Sequence, residues 1–439
     1  MSSTLAEAMP AAEPAPARRA RRPLVRVLAA LAAVFGVLVV LRAITGEHTI
    51  TSGGTVSTTL ALGLPIGMAA LGGLWAERAG VVNIGLEGMM IFGTWGGAFG
   101  AYFSGNPWLG LLMGLLMGAL GGLLHAVATV TFGVDHIVSG VAINILAPGV
   151  ARYLSSMFFL GEEGGGATQS PPLPEFPTVS VPGVAGPLRD LEDRHWFLLS
   201  DLAGLVRGLT TDLSALTIIG LALIPLTYVL LWRTAFGLRL RSCGENPYAA
   251  ESLGVRVYTM KYVAVTVSGA LAGLAGVFLA MVGTHQYQEN QTGGRGFIGL
   301  AAMIFGNWRP GGLAAGTGLF GYTDALQQRG ATGAVHSLLL VVAVALFAFA
   351  AWRLWALRRT PVTPAEAGDA HRRRRIYQAA AAFLAGVLML VWYLLTDELP
   401  KEIVTYSPHI TTLLVLSLAS QRLRMPAADG LRYRKGEAR

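Results

Sequence analysis

Charge is scarce in this sequence: only 13% of its 439 residues are Asp, Glu, Lys or Arg, against 53% hydrophobic residues. A water-soluble fold could not keep that balance off its surface, so a lipid environment is expected. Cysteine is all but missing. With Cys243 alone, one chain can hold no disulfide framework, paired-cysteine redox motif or multi-cysteine metal site, and ordinary packing is its expected role. The only lysines, Lys261, Lys401 and Lys435, do not follow a glycine loop, and no GxxxxGK[ST] string occurs. Any ATP must therefore be bound by another chain. HExxH and GxSxG strings are absent too, which leaves no sequence sign of catalysis, and neither metal nor cofactor is expected.

What the sequence does have is apolar runs long enough to span a bilayer, where about 20 such residues are needed. They are Leu24 to Ile44, Leu60 to Trp75, Ile84 to Phe103, Leu109 to Phe132, Ile137 to Phe159, Leu216 to Trp232, Tyr262 to Val282, Leu313 to Leu326, Leu338 to Trp355, Tyr377 to Leu395 and Ile410 to Leu423. Unbroken runs point to helices, because barrel strands would alternate every second residue. The fold class expected is an all-α, polytopic integral membrane protein with about 10 to 12 transmembrane helices. The 56 glycines agree, since small residues let membrane helices approach closely. The first run lies too deep and lacks the small-residue pattern of a cleaved signal peptide.

The formal net charge of +8 does not point to nucleic acid, because the arginines sit beside apolar runs rather than in a stripe with interleaved aromatics. The positive-inside rule explains them. Residues 1–23 read as a disordered cytoplasmic tail, 24–423 as a transmembrane domain and 424–439 as a second cytoplasmic tail. Within the domain, residues 233–261 and the loop from Arg353 to Arg375 are also expected in the cytoplasm. Residues 161–213 read as a flexible external loop with one short helix near Trp196. This threading requires an extra crossing at the short piece Phe297 to Phe305, read as a half-helix completed by irregular backbone. Met90, Ile91, Phe92, Gly93 and Trp95 echo Met303, Ile304, Phe305, Gly306 and Trp308, with the copies running in opposite directions. An inverted repeat and a chance match explain this echo equally well.

Three groups of residues carry chemistry. From Gly244 to Gly254 the chain reads as a short helix: Asn246 caps, Pro247 fits the first position, Ala249, Ala250 and Glu251 suit a helix, and Gly254 ends it. Spacing alone favours a solvated connector over a rigid helix that receives force from a motor subunit. From Glu77 to Gly88 two carboxylates, Arg78 and Asn83 lie at the mouth of two spans, with Glu87 inside apolar sequence, where an ionisable group faces a partner or a water-filled path. A clamp of Arg78 onto Glu77 or Glu87 is favoured over solute contact. His125, Asn144 and Asp324 are polar groups at membrane depth, for which helix-to-helix hydrogen bonding is the first expectation. Asn144, after Ser139 and Gly140, is the leading pathway candidate.

The strings ERAGVVNIGLEGMM from Glu77, VSGVAINILA from Val138, GENPYAAESLGV from Gly244, GLAAMIFGNWRPGG from Gly299 and MPAADGLRYRKGE from Met425 together resemble permease subunits of ATP-binding-cassette importers. The group is the one for branched-chain amino acids, simple sugars and nucleosides, and the likeness is closest to its nucleoside branch. The resemblance implies a type II importer-like permease. It reverses the preference at Gly244 to Gly254, implying a coupling helix in which Gly244, Glu245, Asn246, Pro247, Ala249, Ala250 and Gly254 meet an ATPase. It also implies a cytoplasmic ATPase, a second permease subunit, an external solute-binding lipoprotein, a small-molecule solute and surrounding membrane lipid, in the cell (inner) membrane with both termini cytoplasmic. The expected solute path comprises Asn83, Glu87, Asn144, Phe305 and Trp308. The first span, the long external loop and the hairpin at residues 333–400 look like additions to the family pattern. A sugar or branched-chain amino acid permease, or an ion-coupled secondary transporter using Glu87, His125 and Asp324, are the alternatives.

Overall fold

The computed structural model describes residues 23–330, 332–359, 368–400, 402–404, 406–407 and 423–436. The tail before residue 23, the centre of the basic loop at 360–367 and the run Ile410 to Leu423, Leu423 excepted, lie outside the described residues. The described chain is helical: α1 (Pro23–Thr45), α2 (Gly53–Arg78), α3 (Leu86–Ser104), α4 (Pro107–Ala126), α5 (His136–Phe158), α6 (Ala185–Glu192), α7 (Leu199–Thr210), α8 (Ala215–Arg233), α9 (Ala235–Glu245), α10 (Pro247–Ser252), α11 (Val257–Phe278), α12 (Arg295–Phe305), α13 (Pro310–Gln328), α14 (Thr332–Arg359) and α15 (Gly368–Leu395). The strands β1 (Thr178–Val179) and β2 (Leu213–Ser214) pair antiparallel. Side-chain caps start several spans where the sequence leaves apolar residues behind. Ser52 accepts from the Thr55 N–H, Asp135 from the N–H groups of Ile137 and Val138, and Ser214 from the Thr217 N–H, each satisfying an orphan donor of a first turn.

Among the described residues, seven helices are long and apolar enough to cross a membrane: α2, α4, α5, α8, α11, α14 and α15. Helix α3 has 19 residues, most of them buried against protein. The centre belongs to α2 and α11, whose apolar stretches are 83% and 78% buried, whereas the other five are buried over 33% or less. Those five show apolar side chains outward, such as Ile145 on α5 and Leu394 on α15, as lipid-facing helices do.

Around α2 and α11 the packing is reciprocal. Helix α2 crosses α13, where a Cβ on Gly321 would stand 2.7 Å from the Gly63 Cα. Helix α11 crosses α4, where a Cβ on Gly269 would stand 2.7 Å from the Gly122 Cα. Helix α3 packs against both central helices, and α12 packs against α2 and α3. Helix α2 ends at Arg78 beside Glu245, and α11 begins beside Cys243 and Tyr433, so the two run in opposite directions. The residue-for-residue echo is another matter: Trp95 stacks on Phe99 inside α3, while Trp308 sits in a turn at φ 51°.

The stretch 161–213 differs from the loop expected of it. Helices α6 and α7 flank Trp196, and ion pairs hold them down: Arg42 Nε lies 2.9 Å from Asp201, and Glu192 accepts from Arg207 at 2.7 Å and from the Gly53 N–H at 2.8 Å. Arg42 and Gly53 are partners more than a hundred residues away, which local periodicity does not register.

Candidate functional site

Helix α3 starts after a tight turn, and its first residues are tied to three other elements. Asn83 is wholly buried; its Oδ1 accepts from the Gly85 N–H at 3.0 Å and its Nδ2 donates to Ser268 Oγ of α11 at 2.8 Å. Asn144 of α5 reaches across with both ends of its amide: Oδ1 accepts from the Gly88 N–H at 2.8 Å, and Nδ2 donates to the Ile84 carbonyl at 2.9 Å. An N–H that the helix start leaves unpaired and a carbonyl of the preceding turn are thereby satisfied by a neighbouring helix.

Glu87, in the first turn of α3, serves a different helix. Its carboxylate accepts from the Gly294 N–H at 2.9 Å and from the Gly296 N–H at 2.7 Å, capping the N-terminus of the half-helix α12. Gly294 takes φ +80°, a left-handed conformation that a side chain disfavours. Gly296 has no room for one, since a Cβ there would lie 2.6 Å from the Glu87 nitrogen. The positive ends of α3 and α12 therefore converge on one carboxylate.

Beside this junction lies a cavity of about 420 Å³. Glu87, Asn144, Asn290 and Thr292 supply its polar wall, and Ile91 and Phe297 face them among the apolar groups. A few placed polar groups in an apolar cleft of this size are the general form of small-molecule clefts. The cavity borders the exposed face of α5, where Val138, Val141 and Ile145 are uncovered.

The remaining residues expected on the solute path lie elsewhere. Asn83 is sealed inside the turn. Phe305 packs on Phe320, with ring centroids 5.7 Å apart. Trp308 is buried at the far end of α12, where its Nε1 donates to Glu77 Oε2 at 2.6 Å. The clamp expected between Arg78 and Glu77 or Glu87 is also replaced. Arg78 donates from Nε and Nη2 to the Trp308 carbonyl at 3.0 and 2.6 Å, and its Nη1 stands 3.8 Å from Glu245. His125 is a packing residue, bonded to Ser139 Oγ at 2.9 Å and to the Val82 carbonyl at 3.0 Å. Asp324 lies 3.9 Å from Arg295.

At the Arg78 end, the segment from Gly244 divides between two helices. Gly244 and Glu245 close α9, and the capped helix α10 begins at Pro247, with Asn246 Oδ1 accepting from the Ala249 N–H at 3.0 Å. Gly254 follows at φ +81° with open space around it. Glu245, Asn246 and Ala249 are exposed while Pro247 and Ala250 are buried, so the segment presents one face outward. Leu253 stands at its tip with 85% of its surface uncovered, a feature without a distinguishing mark in the sequence. Behind it, the Gly244 carbonyl accepts from the Ala428 N–H at 2.8 Å, docking the C-terminal segment. There burial pushes the Asp429 carboxyl up to about 7 beside Glu77, and burial lifts the Cys243 thiol to about 11, keeping it protonated and unreactive.

Comparison with known proteins adds to this geometry. The profile of the family described as branched-chain amino acid transport system / permease component matches residues 55–357. The guanosine ABC transporter permease protein NupQ of Bacillus subtilis is 36% identical over 278 residues, covering 62% of this chain and 81% of its own length. The nucleoside ABC transporter permease protein NupC of Lactococcus lactis is 36% identical over 279 residues, with the same two coverages. The putative glucose ABC transporter permease protein TsgC13 of Haloferax volcanii is 32% identical over 276 residues, covering 63% of this chain and 77% of its own. These relatives are permease subunits rather than enzymes, and no solved structure matches the chain significantly. A multi-pass helical bundle with converging half-helix ends, matched by the family over most of its length, belongs to the permease component family of branched-chain amino acid transport systems, as an ABC importer permease.

Proposed function

We propose that the chain is the permease of an ATP-driven importer of nucleosides, with the cavity beside Glu87 and Asn144 as part of the solute path. The observation that carries this reading is the electrostatics of the cavity. Glu87 is the one ionisable group among its described lining residues, and its charge is already spent on the two N–H groups that start α12. A zwitterionic amino acid would need partners for both of its charges. A neutral solute with hydroxyls and a heteroaromatic ring suits two amides, a threonine and Phe297 better. The names of the two nucleoside permeases among the relatives support the same choice.

In this reading the Arg78 end is cytoplasmic, with both termini, because the arginine-rich segments gather there. Gly244, Glu245, Asn246, Pro247, Ala249, Ala250 and Gly254 meet a cytoplasmic ATPase, and Leu253 fills a pocket on it. A second permease subunit covers the exposed face of α5 and completes the path, an external solute-binding lipoprotein delivers solute to the end capped by α6 and α7, and lipid of the cell membrane surrounds the rest. ATPase movement at α10 opens and closes the path by alternating access.

Radiolabelled nucleoside uptake into cells with and without this chain, with ATP depleted in a parallel sample, is the test. Loss of ATP-dependent uptake on deletion is expected. Nucleoside uptake that stays unchanged on deletion, while ATP-dependent sugar uptake is lost, overturns the solute assignment. Uptake that survives ATP depletion but fails with an uncoupler overturns the ATP-driven mechanism.

A further inference from the structure

A second cavity, of about 650 Å³, lies at the Arg78 end, away from the Glu87 junction. Arg78, Arg309 and Arg424 line it, with Glu245, Asn307 and Met425 among their neighbours. Among the described lining residues, three guanidinium groups against one carboxylate leave a local charge of about +2. The three arginines come from different parts of the chain: the end of α2, the turn between α12 and α13, and the segment that follows residue 422. That segment is held to the turn by the Arg424 N–H, which donates to Asn307 Oδ1 at 2.7 Å.

Arg78 is built into the wall. Its side chain is only 12% exposed, and two of its donors are fixed on the Trp308 carbonyl. Nη1 is left toward Glu245 at 3.8 Å, beyond hydrogen-bond range. Held in this way, Nη1 is a charged donor that can meet an oxyanion with little further loss of freedom. Glu245 itself is 57% exposed and does not fill the space.

We propose that this cavity binds a phosphomonoester anion, which bridges Arg78, Arg309 and Arg424. Charge selects the class: a phosphomonoester carries about −1.5 to −2 at neutral pH and matches the excess, whereas a single carboxylate leaves one guanidinium unmatched. The Met425 side chain offers an apolar rest for the organic part. The bound anion ties the α2 end, the α12–α13 turn and the C-terminal segment together at the foot of the segment assigned above to the ATPase. The binding claim does not depend on which solute is transported.

The phosphate group has two possible sources, a soluble organic phosphate or the headgroup of phosphatidic acid, and the test separates them. The full chain is placed in phosphatidylcholine nanodiscs and titrated with guanosine monophosphate and with inorganic phosphate, following thermal stability. In parallel, retention of phosphatidic acid is measured by mass spectrometry in mixed nanodiscs. Arg309 and Arg424 are exposed, so Arg309→Gln and Arg424→Gln leave the core intact, whereas Arg78→Gln removes a structural bond and is not used. Saturable stabilisation by either soluble probe, with apparent affinity at least tenfold weaker in the double variant, supports a soluble ligand. Phosphatidic acid retention that falls at least tenfold in the double variant, without a soluble response, supports the lipid source. In both cases Arg256→Gln, on the same face but outside the cavity, retains binding. If neither probe separates wild type from the double variant, or if Arg256→Gln weakens binding equally, the proposal is overturned.

Discussion

The junction between Glu87 and the start of α12 carries a prediction that tests the whole arrangement. Glu87→Ala removes a charged acceptor from two main-chain donors, each such bond contributing about 1.5 to 3 kcal/mol. Loss of the negative charge at the α12 N-terminus adds about 0.3 to 1 kcal/mol. The neighbouring cavity lets water reach part of what is exposed, so a total in the lower part of that range, about 4 kcal/mol, is expected. Glu87→Gln keeps one acceptor and gives up the charge, which should cost about half as much. At about 2 °C per kcal/mol for a chain of several hundred residues, Glu87→Ala should melt about 8 °C below wild type in detergent and Glu87→Gln about 4 °C below. Gly296→Ala attacks the same junction from the other side, because its new Cβ would stand 2.6 Å from the Glu87 nitrogen. The double variant Glu87→Ala with Gly296→Ala should therefore lose less than the sum of the two single losses. Solute uptake into proteoliposomes should fall in the same rank order. A Glu87→Ala protein with wild-type melting and wild-type uptake would refute the reasoning, since one buried and one half-buried donor cannot both lose their acceptor without consequence.

Three further outcomes follow from other parts of the fold. Glu245→Ala and Gly254→Ala should leave membrane insertion intact and ATP hydrolysis running while uptake falls; the second imposes about 1 to 2 kcal/mol of strain at its positive φ, and unchanged uptake in both sinks the coupling assignment. Gly93→Ala should abolish stable folding, because its Cβ would overlap the Gly273 carbonyl, whereas Gly318→Ala, with nothing within 4 Å, should be neutral or stabilising by up to about 1 kcal/mol. Size-exclusion profiles of the two proteins decide this. The raised Asp429 carboxyl holds a proton in the docked C-terminal segment that the free segment has released, so docking weakens as pH rises from about 4 to about 7. Trypsin cleavage at Arg434 and Lys435 should accordingly speed up over that range in wild type, and Asp429→Asn should flatten the dependence.

Some of this was legible without coordinates. The cap at Asn246, the proline at the first position of α10 and the glycine that ends the segment are local features, and local rules locate them within a residue or two. The split of Gly244 and Glu245 into a preceding helix was not legible, because nothing in a run of compatible residues marks where one helix stops before a new cap. Glu87 and Asn144 stood out as polar groups in apolar sequence, and both line the cavity. Phe305 and Trp308 shared the same sequence neighbourhood, yet they sit at the other end of a half-helix, since a helix of 11 residues separates its two ends by about 16 Å.

The sequence by itself determined that this is an all-α membrane protein, because apolar runs of bilayer length must close their own main-chain hydrogen bonds. It also determined, through its motif strings, the family to which the chain is similar. Only the tertiary structure decided what the polar residues do. Glu87 finds its donors 207 and 209 residues away, Trp308 finds Glu77 231 residues away, and Arg78 turns to a main-chain carbonyl rather than to either neighbouring carboxylate. Periodicity reports which residues share a face within one helix, but the partner of a buried charge is set by how separate helices cross, and that follows from where glycines let them touch.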